Sequence, residues 1–251
     1  MKKRRWFSLF LSFALLLPLF SLTSADAYED FTLDAKAGLL IEADTGEILY
    51  EKNAHQENFP ASLTKVMVAL LVFEAIDEGK IALTDSVTAT ESAFEGLSSD
   101  GSTANIVPGE TMTVEQLIVS ANEACNILGE TLCGSVDAFV ARMNERAAEL
   151  GCEHTHFANA TGLHNSQHYT TAWDLYLITR EALKHDKFME ICNSKSYTVP
   201  ATNMTDKPRE LHSTNFLISN WRARGYVYRD AQGIKTGSTE ESGYCLLSAA
   251  T

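Results

Sequence analysis

Eight consecutive residues, Val66-Met67-Val68-Ala69-Leu70-Leu71-Val72-Phe73, are apolar within a stretch of helical composition that runs from Ser62 to Glu78, behind Pro60 and ahead of Gly79. A helix that is apolar all round has no face to give to water, so it must run through the middle of a domain with other elements packed around it. The same helix opens with Ser62-Leu63-Thr64-Lys65. That spacing puts a hydroxyl and an amine on one helical face, one turn apart and within reach of each other. Ser62 falls in the first turn, where the helix N-terminus favours developing negative charge. The helix expected to be most buried therefore also carries a nucleophile beside a base.

Ser-x-x-Lys alone is weak, since about one copy is expected by chance in a chain of this length, and one is present. Lys-Ser/Thr-Gly is rarer, with a chance expectation on the order of 0.1, and it too occurs once, as Lys235-Thr236-Gly237. Ser-x-Asn occurs twice, at Ser120-Ala121-Asn122 and at Ser213-Thr214-Asn215, so it discriminates least. The order and spacing of the three motifs carry the weight.

Around the central helix the chain reads as strands at both ends with helices between. Leu39 to Ala43 and Ile48 to Glu51, separated by Asp44-Thr45-Gly46, predict a β-hairpin. Glu91 to Gly109 has loop composition. Thr113 with Gln116 forms a capping box ahead of a helix that runs toward Ser120, and a further helix spans Glu123 to Cys133 before Gly134. Ser135 caps the next, with Val136, Phe139, Val140, Met143 and Leu150 at helical spacing, and Thr171 with Asp174 opens another that runs to about Leu183. Gln232 to Ser238 and Gly243 to Thr251 read as strands. This order implies an α/β (α+β) fold, one antiparallel sheet drawn from both chain ends beside a helical lobe. No internal repeat, low-complexity tract or interdomain linker is visible.

Residues 1–27 read as an export signal: Lys2, Lys3, Arg4 and Arg5 precede an apolar run from Trp6 to Leu22, and Ala25-Asp26-Ala27 is a cleavage pattern. The chain is expected to work outside the cytoplasm, in the cell envelope, periplasm or outer face of the cytoplasmic membrane. Cleavage would remove four cations and one anion, moving the formal charge from -13 to -16. So acidic a protein is not suited to nucleic acid or to anionic lipid. Membrane association is expected only through an uncleaved signal or sequence beyond residue 251. Cys125, Cys133, Cys152, Cys192 and Cys245 lack C-x-x-C spacing and are expected as buried free thiols.

A serine hydroxyl needs a neighbouring base, and Lys65 serves only if its amine is neutral, which burial and a second cation such as Lys235 promote. Ser120 can pass a proton to a leaving group if it lies between the two lysines, and the Asn122 amide can hold Lys65 and a substrate amide together. Lys235 and Thr236 supply donors for a substrate carboxylate, while Gly237 admits close backbone approach. The backbone amides of Ser62 and Ser238 are the natural pair for an oxyanion hole. The sum is serine acyl transfer, with no cofactor and no metal.

These three motifs resemble those of the penicillin-recognising serine enzymes. The segments 37–50, Phe139-Val140-Ala141-Arg142-Met143-Asn144, Phe157-Ala158-Asn159-Ala160-Thr161-Gly162-Leu163 and Gly233-Ile234-Lys235-Thr236-Gly237 extend the resemblance to the low-molecular-mass D-alanyl-D-alanine carboxypeptidases, over nearly all of residues 37–251. The resemblance implies a β-lactamase/transpeptidase-like serine peptidase domain over 28–251, acylated on Ser62, with Lys65 as base, Ser120 and Asn122 as second motif, and Lys235 and Thr236 gripping the carboxylate. It implies a peptidoglycan stem peptide as substrate and β-lactams as covalent inhibitors. Ala121 and Glu123 replace the glycine and aspartate frequent in the family's second motif, and Ser238 stands where many relatives carry a bulkier residue. It further implies a last strand between the N-terminal hairpin and the Gly243 strand, a closing helix, a carboxylate-holding arginine, a C-terminal β-domain and an anchor. These are expected beyond Thr251, so the 251 residues are expected to be C-terminally truncated and to fold poorly alone.

A D,D-endopeptidase of the same fold is the nearest alternative. A class A β-lactamase would place Glu-x-x-Leu-Asn after the second motif, whereas residues 153–170 hold only Glu153. A non-catalytic penicillin-sensing domain is a third alternative. His154, His156, His164 and His168 lie in a loop-like stretch without a metal-binding frame, Asn159-Ala160-Thr161 and Asn203-Met204-Thr205 match glycosylation sequons, and Trp173, Tyr176 and Ile178 suit helix packing.

Overall fold

A computed structural model describes residues 32–97, 101–119 and 121–251 of the chain. Lys36–Thr251 is one compact unit, and the export-signal reading of residues 1–27 lies outside the described residues.

The N-terminal hairpin forms as its turn chemistry dictates. Strands β1 (Gly38–Ile41) and β2 (Ile48–Lys52) pair antiparallel with Leu40 opposite Tyr50. In the turn, the Glu42 carboxylate accepts from the Thr45 amide at 2.5 Å and its hydroxyl at 2.6 Å, and Gly46 takes the left-handed conformation, φ +74°.

A 3-10 turn, Ala61–Thr64, leads directly into helix α1 (Lys65–Asp77). As its sequence requires, α1 is buried on every side, with Leu70 and Val72 fully inaccessible. Val66, Met67, Leu70 and Phe73 join one core cluster with Phe139, Met143, Phe157, Ile178 and Phe188. Val72 belongs to a second cluster with Met112, Val114, Leu117, Ile127, Leu128 and Val199. At roughly 1.5–3 kcal/mol for each large side chain buried, this helix is the main hydrophobic anchor of the unit.

The helical lobe follows the caps. Helix α2 (Val114–Ile118) is closed by the Thr113/Gln116 capping box, α3 (Asn122–Cys133) ends at Gly134 with φ +81°, and α4 (Val136–Glu149) is capped by the Ser135 hydroxyl accepting from the Ala138 amide. Thr171 caps α5 (Ala172–Ala182) through the Asp174 amide, and a short α6 (Asp186–Cys192) follows. Ile178 and Tyr176 are buried, as packing residues should be, and Trp173 sits against His55 and Tyr176. All five cysteines are free thiols, but only Cys125 is buried, while Cys133, Cys152, Cys192 and Cys245 are partly exposed.

Two small ladders were not foreseen. Strands β3 (Ser86–Thr88) and β4 (Thr111–Thr113) pair, as do β5 (Ser196–Val199) and β6 (Arg209–His212). The two are joined by Arg209 and the buried Glu110, 2.5 Å apart, with the Thr202 hydroxyl also donating to that carboxylate. Burial pushes the Glu110 carboxyl up, but hydrogen bonds from Arg209, Thr202 and the Val107 amide outweigh it and hold it below the usual range.

At the C-terminal side, β7 (Ala231–Thr239) and β8 (Gly243–Ala250) form a long hairpin with Lys235 opposite Leu247 and Gly237 opposite Cys245. The sheet expected from both chain ends is thus present as two antiparallel ladders, β1–β2 and β7–β8, with no ladder pairing between them among the described residues. The fold is mixed α/β.

Gly129 of α3 lies so close to α4 that a Cβ there would come within 2.6 Å of the fully buried Phe139 ring. Gly129→Ala should lower stability by about 1–3 kcal/mol in denaturant unfolding, and Phe139→Leu in the same chain should recover part of that loss.

Candidate active site

The geometry is set by the turn before α1. Ala61 adopts φ +47°, unusual for a residue with a side chain, and is buried. Gly162 packs against it so tightly that a Cβ there would fall 1.9 Å from the Ala61 carbonyl oxygen. Gly237 of β7 approaches from a second element: a Cβ there would fall 2.8 Å from the Ser62 amide nitrogen. Glycine at both positions lets two backbones touch the Ser62 turn. The fit explains the glycine of Lys235-Thr236-Gly237.

Ser62 and Lys65 meet as their spacing requires, with Lys65 Nζ 3.0 Å from Ser62 Oγ. Lys65 also donates to the Thr161 carbonyl at 2.5 Å. Burial pushes the Lys65 amine below its ordinary value, against the opposing pull of Cys125 and Glu123. Lys235 is lowered to about 8, first by burial and then by Lys65. The expected help from a second cation therefore falls on Lys235, while Lys65 is shifted by burial. Burial shifts Lys65 toward its neutral form, in which it can take a proton from Ser62.

The second motif is placed through its flanks. Ser120 lies outside the described residues. Asn122 begins α3, is buried, and donates its backbone amide to the Ser102 carbonyl at 3.1 Å. Its Oδ1 and Glu123 Oε2 are buried without a hydrogen-bond partner among the described residues, while Glu123 Oε1 accepts from the Thr103 hydroxyl. On β7, Lys235 Nζ donates to the Thr236 carbonyl at 2.6 Å, the Thr236 hydroxyl lies 2.5 Å from that of Thr214, and Ser238 is exposed. A cleft of about 270 Å³ lined by Lys36, Glu57, Phe59, Tyr169 and Glu241 holds none of the motif residues.

Three contributors were given no role at the site by sequence reasoning. The first is the carbonyl of Thr161, in a loop built on Asn159: its Oδ1 accepts from the amides of Thr161 at 3.1 Å and Gly162 at 2.8 Å, and its Nδ2 donates to Leu163 O at 2.9 Å. The sequon asparagine is therefore engaged in shaping the loop that receives Lys65.

The second is His168, whose Nδ1 accepts from the Ala158 amide at 3.1 Å and whose Nε2 lies 2.8 Å from Thr64 Oγ1. Thr64 donates in turn to the Ala61 carbonyl at 2.8 Å. The third is the spare Ser213-Thr214-Asn215. The other loop histidines have separate partners, His154 with Glu57, His156 with Gln167 and His164 with Glu241.

A family profile described as D-alanyl-D-alanine carboxypeptidase matches residues 23–251. D-alanyl-D-alanine carboxypeptidase DacF of Bacillus subtilis (strain 168) is 39% identical over 222 residues, covering 86% of this chain and 54% of that protein. The crystal structure of the Streptomyces K15 DD-transpeptidase superposes with a TM-score of 0.78 at 29% identity, over 89% of this chain and 87% of that one. D-alanyl-D-alanine carboxypeptidase DacD from Francisella tularensis superposes with a TM-score of 0.78 at 25% identity, over 93% of this chain and 68% of that one. The chain spans about half the length of the first curated relatives it matches.

Two measurements check the site's construction. Gly162→Ala should collapse the Ser62 turn, seen as a loss of several kcal/mol in unfolding or a failure to fold, because its Cβ has no room and its φ is +83°. Burial, reinforced by His156, Lys65 and His164, lowers His168 from 6.5 to about 4. Between those values the unfolded chain binds more protons, so stability should fall on acidification through that window by up to about 3 kcal/mol. His168→Gln should flatten that part of a pH-resolved unfolding series.

Proposed function

Because the chain belongs to the D-alanyl-D-alanine carboxypeptidase family, we propose that it removes the terminal D-alanine from peptidoglycan stem peptides through an acyl-enzyme on Ser62. The observation that carries this reading is the pairing of Ser62 Oγ with Lys65 Nζ at 3.0 Å, with the Lys65 amine lowered by burial.

In this reading Ser62 Oγ attacks the carbonyl carbon of the penultimate D-alanine while its proton passes to Lys65. The oxyanion is held by the amides of Ser62 and Ser238, a pairing supported by the approach of Gly237 to Ser62 N. The proton reaches the leaving D-alanine nitrogen through Ser120, the C–N bond breaks, and the peptide remains as an ester on Ser62. Water then adds to the ester, and the released Ser62 oxygen regains a proton. Lys235, Thr236 and the Gly237 backbone receive the substrate's terminal carboxylate, and Asn122 receives its amide.

The group that the 153–170 loop presents to Lys65 is the Thr161 carbonyl, which cannot act as a base. This favours a slowly released penicillin adduct over rapid β-lactam turnover, and so a peptidase over a class A β-lactamase. Peptidoglycan lies outside the cytoplasmic membrane, so the reading also assigns residues 1–27 to export and 28–251 to the peptidase domain. No helix among the described residues is long and apolar enough to cross a membrane.

Incubated with a peptide ending in D-Ala-D-Ala, the protein should release free D-alanine, and Ser62→Ala should lower that release by at least about 10³-fold. Equal release by both proteins would overturn the reading, and cleavage of cross-linked dimers without D-alanine release would replace it with a D,D-endopeptidase. Lys235 holds a carboxylate only while protonated, and its free-enzyme value is about 8. The second-order rate of penicillin acylation should therefore decline as pH rises past that point.

A further inference from the structure

The spare Ser-x-Asn, at Ser213-Thr214-Asn215, lies against the strand that carries Lys235-Thr236-Gly237. The buried Asn215 donates from Nδ2 to the Gly233 carbonyl, and its Oδ1 accepts from the Leu217 amide at 2.9 Å. The Ser213 amide donates to the Lys195 carbonyl at 2.9 Å. Gly233 is fixed from two further sides, its carbonyl accepting from Ser248 Oγ at 3.0 Å and its amide donating to Asn193 Oδ1 at 2.7 Å. Thr214 is thus held between two bolted neighbours. From there its Oγ1 sits 2.5 Å from Thr236 Oγ1.

A threonine hydroxyl has one proton to give and lone pairs to receive with. If Thr236 spends its proton on Thr214, nothing is left for an anion. If Thr214 donates instead, Thr236 keeps its proton free for a carboxylate oxygen, and the donated hydrogen bond strengthens it as a donor. A substrate carboxylate selects the second arrangement, because only then does the chain of hydroxyls end on the negative charge.

We propose that Thr214 is a positioning residue for the substrate carboxylate, orienting the Thr236 hydroxyl by donating a hydrogen bond to it. The inference rests on the carboxylate-gripping role proposed above for Lys235 and Thr236, and assigns the Ser213-Thr214-Asn215 segment to the specificity of that site.

The test uses the full chain and two probes, a fluorescent penicillin with its carboxylate free and the same penicillin as its methyl ester. Thr214→Val keeps the shape and removes the hydroxyl. It should lower the acylation rate with the free acid, relative to that with the ester, by about tenfold, the scale of one oriented hydrogen bond to a charged group. Thr214→Ser should restore the preference, and Thr214→Val should add nothing to Thr236→Val, since the first hydroxyl acts through the second.

An unchanged preference in Thr214→Val, a loss equal for the two probes, or additive losses in the double variant would each overturn the proposal while leaving Ser62 chemistry intact. Failure of the wild-type protein to be labelled, or equal labelling of Ser62→Ala, would overturn the proposed function and this inference with it.

Discussion

Two glycines press on the peptide that joins Ala61 to Ser62, and the rest of the site is arranged around that contact. Gly162 touches the Ala61 carbonyl and Gly237 faces the Ser62 amide, so neither position has room for a Cβ. Because both partners are backbone, neither can be relieved by rotating a side chain. The contact fixes the loop that offers Thr161 to Lys65 and the strand that carries Lys235 and Thr236 relative to the start of α1. What gives the turn its rigidity is the apolar helix behind it: α1 is buried on all sides, so the turn cannot yield by letting the helix shift.

Much of this was legible in the sequence because it is local. The caps of α2, α4 and α5 and the glycine that ends α3 each involve residues within a few positions of one another, and they form where the residue types place them. The Ser62–Lys65 pair is legible for the same reason, being one helical turn. The ladders β3–β4 and β5–β6 were not, since their strands are three or four residues long and draw their stability from distant partners such as Glu110 with Arg209. The Thr161 carbonyl was invisible because every residue has one. His168 was noticed only as a loop histidine, although its partner Thr64 lies 104 positions away.

The charge pattern sharpens the reading. In a chain of net charge -13, two lysines sit close enough for Lys65 to depress Lys235. Such a pair costs stability, since burial disfavours both cations and Lys65 repels Lys235. A fold that only needed packing would place aliphatic side chains there. Retaining the amines is the kind of local conflict expected where chemistry, and not stability, decides the residue.

The histidine behind the turn has a consequence for the Ser62 amide. Since His168 Nδ1 accepts from the Ala158 amide, the neutral ring carries its proton on Nε2 and gives it toward Thr64, which in turn donates to the Ala61 carbonyl. The direction of every donor in that chain is therefore fixed, and it ends on the oxygen of the peptide unit whose N–H belongs to Ser62. Drawing electron density toward that oxygen leaves the nitrogen poorer in electrons, so a buried imidazole polarises the amide proton through two hydrogen bonds and one resonance system.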